Sequence, residues 1–329
     1  GRGTSILTTI GYGIAWNGSL FVAVGQGSNT IATSPDGINW TGIGSTMFSS
    51  FGSCIASNNK REHQITMPGN LMVAVGNGIN DSIATSPDGI NWTGRGKSMF
   101  VLGNSIAWNG SLWVAVGAGS NTIATSPDGI NWTGRGATIF NIGYGIAWNG
   151  SLWVGVGVFS NTIATSPDGI NWTGLGSTIF TLQGNNIAWN GSLWVAVGEG
   201  SNTIATSPDG INWTGRGTSI LTTIGYGIAW NGSLWVAVGE GSNTIATSPD
   251  GINWTGRGTS ILTTIGYGIA WNGSLFVAVG QGSNTIATSP DGINWTGIGS
   301  TMFSSFGSCI ASNNKREHQI TMPGNLMVA

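Results

Sequence analysis

The sequence predicts an all-β fold, a β-propeller built from four-stranded antiparallel blades. Three observations predict it: a repeat of about 41 residues along the chain, two tight-turn signals in each repeat, and no segment with the i, i+3, i+4 apolar spacing of a helix. Each element follows from the repeat.

The tetrapeptide Ser-Pro-Asp-Gly marks the register. Its proline falls at Pro35, Pro87, Pro127, Pro167, Pro208, Pro249 and Pro290, with successive spacings of 52, 40, 40, 41, 41 and 41. The interval of 52 contains an eleven-residue insertion around Lys60 to Asn70. A single propeller domain over 1–329 is expected, with units at about 1–42, 43–94, 95–134, 135–174, 175–215, 216–256, 257–297 and a partial 298–329.

The unit Tyr226 to Thr255 shows the internal order. Gly227-Ile228-Ala229-Trp230 reads as a first strand, and Asn231-Gly232 is a strong hairpin signal. Leu234-Trp235-Val236-Ala237-Val238 is apolar on both faces, as a strand covered on both sides must be. Gly239 to Asn243 form a turn, Thr244-Ile245-Ala246-Thr247 a third strand, Pro249-Asp250-Gly251 a tight turn, and Ile252 to Thr255 a fourth strand. Four short antiparallel strands per unit match a propeller blade, whereas two tight hairpins per unit argue against a parallel β-solenoid.

Composition agrees. The 57 glycines would each cost about 1 kcal/mol in a helix but suit tight turns. Seventeen Trp and ten Phe within 40% apolar residues supply enough surface to fold. With 7% charged residues and a net charge of -2, there is no electrostatic case for nucleic acid or an anionic membrane surface. No apolar run reaches 18 residues, so no membrane span is expected. The two cysteines, Cys54 and Cys309, occupy one position in two copies and suggest no disulfide framework.

Residues 1–74 are identical to residues 256–329, an offset of 255 spanning six units. This identity points to a very recent duplication or to a window cut from a longer array. Seven units hold all four strands, and the eighth holds only about two. The first strand of a propeller blade lies nearest the axis, so a half-blade could complete the inner ring of an eight-position propeller. Eight positions are therefore expected, with a seven-bladed ring as the alternative. Near-identical blades also allow self-association by exchange between chains.

The segment Ser34-Pro35-Asp36-Gly37-Ile38-Asn39-Trp40 and its six later copies resemble the Asp-box, or BNR repeat. That motif, S-x-D-x-G-x-T-W, occurs in sialidases and in many secreted, bacterial and photosystem-assembly propellers, in the turn between the third and fourth strands. Here the turn is one residue shorter between Asp and Trp. The near-identical, Trp-rich blades are also similar to highly repetitive propellers of some bacteria and giant viruses. The resemblance implies structural roles for Asp36, Trp40, Asp88, Trp92, Asp128, Trp132, Asp168, Trp172, Asp209, Trp213, Asp250, Trp254, Asp291 and Trp295. The Asp would accept backbone hydrogen bonds of its own turn and the Trp would pack between blades. Elementary physics gives the same roles, since an Asp before Gly caps its turn and a regularly spaced Trp fills the wedge between sheets.

Catalysis is not expected. Sialidases gather three arginines, a Tyr nucleophile and a Glu, but Arg95, Arg135, Arg216 and Arg257 share one repeat position, as do Tyr12, Tyr144, Tyr226 and Tyr267. Symmetry-related residues are expected on a wide ring, where no asymmetric active site is easily assembled. No cofactor or metal is expected either. One carboxylate per turn is poor for calcium, which takes six to eight oxygens, and His63 and His318 lie in the polar insertion without partner ligands. Glycosylation sequons are frequent, as Asn-Gly-Ser at Asn17, Asn109, Asn149, Asn190, Asn231 and Asn272, and as Asn-Trp-Thr at Asn39 and its copies. The hairpin itself demands Asn-Gly.

The blades differ mainly in two connections. The second-to-third loop carries Gln26, Asn77, Ala118, Val158-Phe159, Glu199, Glu240 and Gln281, and the fourth-to-first connection carries Ile43, Arg95, Arg135, Leu175, Arg216 and Arg257. Strand alternation brings both to one face of the ring, and puts the insertion Asn58 to Asn70 on the other. Variation on one rim suits a ligand-facing surface, although unselected drift in loops gives the same pattern. The expected function is a multivalent, non-catalytic module binding glycan or protein, with a purely structural repeat scaffold as the alternative. The candidate contact residues are Tyr12, Arg95, Arg135, Tyr144, Phe159, Glu199, Arg216, Tyr226, Glu240, Arg257 and Tyr267.

Overall fold

A computed structural model describes residues 6–17, 19–36, 39–57, 71–271 and 273–300. These form seven four-stranded antiparallel sheets, each with its strands paired in chain order. The first strands are Ile10–Trp16, Phe51–Ser57, Leu102–Trp108, Ile142–Trp148, Gln183–Trp189, Ile224–Trp230 and Ile265–Trp271. Each packs on the first strand of the next sheet, so these strands surround a common axis and the sheets radiate from it as propeller blades. Blades 3 to 7 are also joined by single bridges, Ala118 to Ile142, Val158 to Gln183, Glu199 to Ile224 and Glu240 to Ile265.

Strands alternate in direction, so the second-to-third loops and fourth-to-first connections share one face, here called the upper face. The Asn-Gly hairpins and Ser-Pro-Asp-Gly turns share the lower one. Among the described residues the packing of first strands runs from blade 1 to blade 7, and no comparable packing returns from Ile265–Trp271 to Ile10–Trp16. Residues 301–329, which carry most of the partial eighth unit, lie outside the described residues, as does the insertion at 58–70 with His63; His318 and Cys309 fall there too.

The core consists of wedges between blades. In one wedge, Val154, Val156 and Ile163 of blade 4 meet Ile187, Trp194, Ala196 and Ala205 of blade 5, with Phe180 of the connection sealing the gap. The second strand is buried on both faces, as its unbroken apolar run predicts. The side chains that fill the wedge are the second-strand tryptophans Trp113, Trp153, Trp194 and Trp235, all fully buried. The turn tryptophans Trp132, Trp172, Trp213 and Trp254 are only half-buried and pack on the edge of the same clusters. The turn Trp thus packs at the rim of the wedge between blades, while the second-strand Trp fills its centre. The turn Trp is held outward because its indole N–H donates to its own turn, as Trp213 Nε1 does to the Gly210 carbonyl at 2.9 Å.

All four strands of blade 6 have bounds that differ from the sequence reading. The second is Trp235–Glu240 rather than Leu234 to Val238, and the third is Ile245–Ser248 rather than Thr244 to Thr247. Two starts move by three residues: the first strand begins at Ile224 rather than Gly227, and the fourth is only Thr255–Gly256 rather than Ile252 to Thr255. The cause of the fourth-strand shift is the Asp250 carboxylate, which accepts the N–H groups of Ile252 and Asn253 at 2.8 Å and keeps both residues in the turn.

One polar residue holds each blade's upper face together. Asn202 Oδ1 accepts the Gly217 N–H at 2.8 Å, after the fourth strand, while Asn202 Nδ2 donates to the Ile179 carbonyl at 2.7 Å, before the first. The neighbouring Thr203, buried, donates its hydroxyl to the Leu221 carbonyl of the following connection at 2.6 Å. The Asn ties a blade to itself, and the Thr ties it to its successor. Sequence reading placed the Asn in a plain turn and the Thr at the start of the third strand, with no such ties.

Candidate functional site

The lower-face turns are self-contained. In blade 5, Asp209 Oδ1 accepts the N–H groups of Ile211 and Asn212 at 2.8 Å, and Asp209 Oδ2 accepts Asn212 Nδ2 at 2.7 Å. The Ser207 hydroxyl adds a further bond at 2.9 Å, and Gly210 holds φ 79° to close the turn. Asp88, Asp128, Asp168, Asp250 and Asp291 repeat the pattern, as do the bonds from Ser34 and Asn39 to Asp36. At Asp88 and Asp128 partial burial opposes ionisation, but the donors from Asn91 and Asn131, and from the neighbouring Ile and Ser, outweigh it and hold each carboxyl at about 2. At Asp168, Asp209, Asp250 and Asp291 the Asn backbone N–H is the leading cause, and it keeps each carboxyl well below the usual carboxylate range. These carboxylates are occupied by their own turns. Among the described residues no group of three or more His, Cys, Asp and Glu gathers at any point.

Both sequon types are used by their turns. Asn231 Oδ1 accepts the N–H groups of Ser233 and Leu234 at 2.8 and 2.7 Å, and the Asn91 amide of the Asn-Trp-Thr type donates to Asp88 at 2.6 Å. A glycan on the Asn91 nitrogen would displace a bond that shapes the turn.

The candidate contact residues fall into two groups. Arg95, Arg135, Arg216 and Arg257 lie at the outer perimeter, just beyond each fourth strand. Their guanidinium groups donate to third-strand threonines of the same blade, Arg216 Nε to Thr206 Oγ1 at 2.9 Å and Nη2 at 2.6 Å, with Arg95, Arg135 and Arg257 placed alike. Leu175 replaces this Arg in blade 4, and a shallow cleft opens there between Leu175, Ile179, Ile211 and Trp213.

Tyr12, Tyr144, Tyr226 and Tyr267 lie instead on the axial strands, at a bulge. In blade 6 the register slips between Gly225 and Gly227, leaving Tyr226 as the extra, unpaired residue. The equivalent residue is Ser53, Asn104 or Asn185 in blades 2, 3 and 5. Around the axis these residues converge rather than spread: the Tyr226 and Tyr267 rings are 5.2 Å apart with planes tilted by 53°, and Tyr12 meets Phe51 at 5.1 Å. The wide separation expected for symmetry-related residues therefore holds for the arginines and not for the tyrosines. Glu199 and Glu240 end the second strands at the level where Tyr144, Tyr226 and Tyr267 begin. Burial first, then the charges of Glu240 and Glu199, pushes the Tyr226 phenol up to about 12; the phenols of Tyr144 and Tyr267 are raised by burial and by one of these carboxylates.

Phe159 stands apart. It is 61% exposed at φ 127°, where the other loops place Gly27, Gly119, Gly200, Gly241 and Gly282 at φ 118–140°. A side chain at Gly200 would strike Thr181 Oγ1, which accepts the Ser201 N–H. The connection into blade 4 is one residue shorter and has Asn141 in place of that Thr, so the clash with a Thr hydroxyl does not arise at Phe159.

No family model matches the chain, and no curated protein matches it. Among solved structures, the computationally designed Ika8 protein is similar at a TM-score of 0.57 with 13% identity, over 86% of this chain and 84% of that one. YCF48 from Cyanidioschyzon merolae is similar at 0.54 with 14% identity, over 82% of this chain and 92% of that one. The chain is a β-propeller. Identities this low speak for the fold alone. In this propeller the upper axial mouth collects the variable aromatic and acidic residues, while the arginines stay on the perimeter. Among the described residues no helix is long and apolar enough to cross a membrane.

Proposed function

We propose that this propeller is a non-catalytic binding module for glycan or protein, working through its variable upper face, and that its lower-face turns are Asp-box variants. The observation that carries the first part is the contrast between a frame repeated from blade to blade and a varied mouth. The strands and lower turns repeat with little change, while Tyr226, Tyr267, Glu199 and Glu240 meet near the axis. The carboxylate-capped turns support the second part.

The separation of arginines from tyrosines weighs against a sialidase-like site. Arg135 and Arg216 are engaged with Thr125 and Thr206 at the perimeter, so among the described residues no arginine cluster faces the Tyr hydroxyls. Turnover of a fluorogenic sialoside is expected to be absent. A glycan array and a pull-down with the whole chain, each repeated with Tyr226→Ala/Tyr267→Ala, test the binding reading. Specific capture lost in the variant would support it, and no specific capture by either protein would sink it.

A structural scaffold is the second reading, favoured by the repetition of the Asn202 and Thr203 ties in nearly every blade. An eight-position ring is part of either reading, and it rests on the partial eighth unit at 298–329 in the sequence. Electron microscopy of the purified chain would count the positions and reveal any filament.

A further inference from the structure

The two upper-face carboxylates sit on one rung of the sheet system. Glu199 is the Cα partner of Gln183 within its blade and of Ile224 in the next, and Ile224 is in turn the partner of Glu240. Glu240 continues the rung to Ile265 of blade 7. Two strand spacings separate the glutamates, about 10 Å at Cα. Two residues along from Ile224 and Ile265 come the bulged Tyr226 and Tyr267, whose rings touch.

This arrangement breaks the symmetry of the ring. The equivalent second-strand ends are Gln26, Asn77, Ala118, Val158 and Gln281, so adjacent carboxylates occur only in blades 5 and 6. Neither carboxylate has an ion-pair or hydrogen-bond partner among the described residues. The nearest repeat cations are committed elsewhere, Arg216 to Thr206 and Arg257 to Thr247 on the perimeter. Among the described residues the mouth over blades 4 to 7 is thus negative and aromatic together.

We propose that Glu199, Glu240, Tyr226 and Tyr267 form a binding site for an organic cation, an ammonium or guanidinium group. This rests on the reading that the upper face binds a ligand, and it names the ligand's chemistry. A cation gains from both carboxylates and from the negative face of a tyrosine ring. A neutral sugar gains nothing from the charges, and two rings tilted at 53° do not make one flat platform for it. Carboxylates about 10 Å apart suit a ligand with two positive groups, either a free polyamine or neighbouring basic side chains of a peptide.

Calorimetric titration of the whole chain with spermidine, with a short Lys/Arg peptide and with a neutral oligosaccharide tests this. Glu199→Gln/Glu240→Gln is the informative variant, because glutamine already stands at this position in blades 1 and 7 and the fold should persist. Binding of either cationic probe, weakened at least tenfold in the variant and by added salt, is the expected result. Whether spermidine or the peptide binds more tightly separates the two sources. Cation binding that the variant retains, or no cation binding at all, overturns the proposal. In the latter case, oligosaccharide binding, glycan-array capture or a specific pull-down would leave the broader binding reading standing, and the absence of all three would remove both.

Discussion

Asn185 donates its side-chain amide to the carbonyl of Gly225 on the neighbouring blade at 2.9 Å, and Asn104 makes the same bond to Gly143. Both asparagines occupy the bulge that carries Tyr in blades 1, 4, 6 and 7 and Ser53 in blade 2. This one axial position thus supplies an inter-blade tie in two blades and an aromatic ring in four. Asn185→Ala should therefore loosen the joint between blades 5 and 6 by about 1 kcal/mol. Faster amide hydrogen exchange around Gly225, with blades 1 to 3 unaffected, is the expected signature.

The turn carboxylates make stability depend on acid. Their folded pKa values lie below the ordinary value of 3.8, at about 2 for Asp88 and Asp128. A depressed carboxyl contributes stability above its unfolded pKa and loses it as pH falls through the folded value. Resistance to urea should thus be level from neutral pH to about pH 4 and decline from there toward pH 2. Replacing Asp168, Asp209 and Asp250 together by Asn should lower stability at neutral pH and flatten that decline. An unchanged acid profile in the triple variant would refute the assignment.

Trp194 tests what fills the wedge. Its indole is fully buried, yet Nε1 has no acceptor among the described residues, as at Trp153 and Trp235. Phe276 occupies the same position in blade 7, also fully buried. Trp194→Phe removes both volume and an unsatisfied donor, so it should cost under about 1.5 kcal/mol, while Trp194→Ala should cost about 3–5 kcal/mol. Denaturant unfolding of the two variants measures the difference.

The frame was legible in the sequence because its determinants are local. Asn-Gly and Ser-Pro-Asp-Gly fix turns within a few residues, and an apolar run such as Trp235 to Val238 announces its burial. What escaped the sequence lies in contacts across blades or connections. Asn202 looks like any loop asparagine until its partners, Gly217 and Ile179, are brought beside it from either side. The convergence of Tyr226 on Tyr267 likewise depends on how closely axial strands approach, and the tethering of Arg216 depends on strand register. Repetition made the arginines and tyrosines look equivalent, although one set is peripheral and the other axial.

Phe159 holds a backbone conformation that glycine provides in five of the other blades. Such strain costs on the order of 1–3 kcal/mol, and the exposed ring recovers little of it by burial. Phe159→Gly should accordingly raise the melting temperature. If the melting temperature fell instead, the ring would be making a stabilising contact.

The ties made by Asn202 and Thr203 reach only their own blade and the next, and their chemistry recurs from copy to copy. An unequal crossover within the gene, aligned on any two copies, would splice one unit to another and recreate a native joint at the seam. Whole units could thus be gained or lost without a single misfit side chain. The verbatim recurrence of residues 1–74 at 256–329 fits recent turnover of this kind, as it fits a window cut from a longer array.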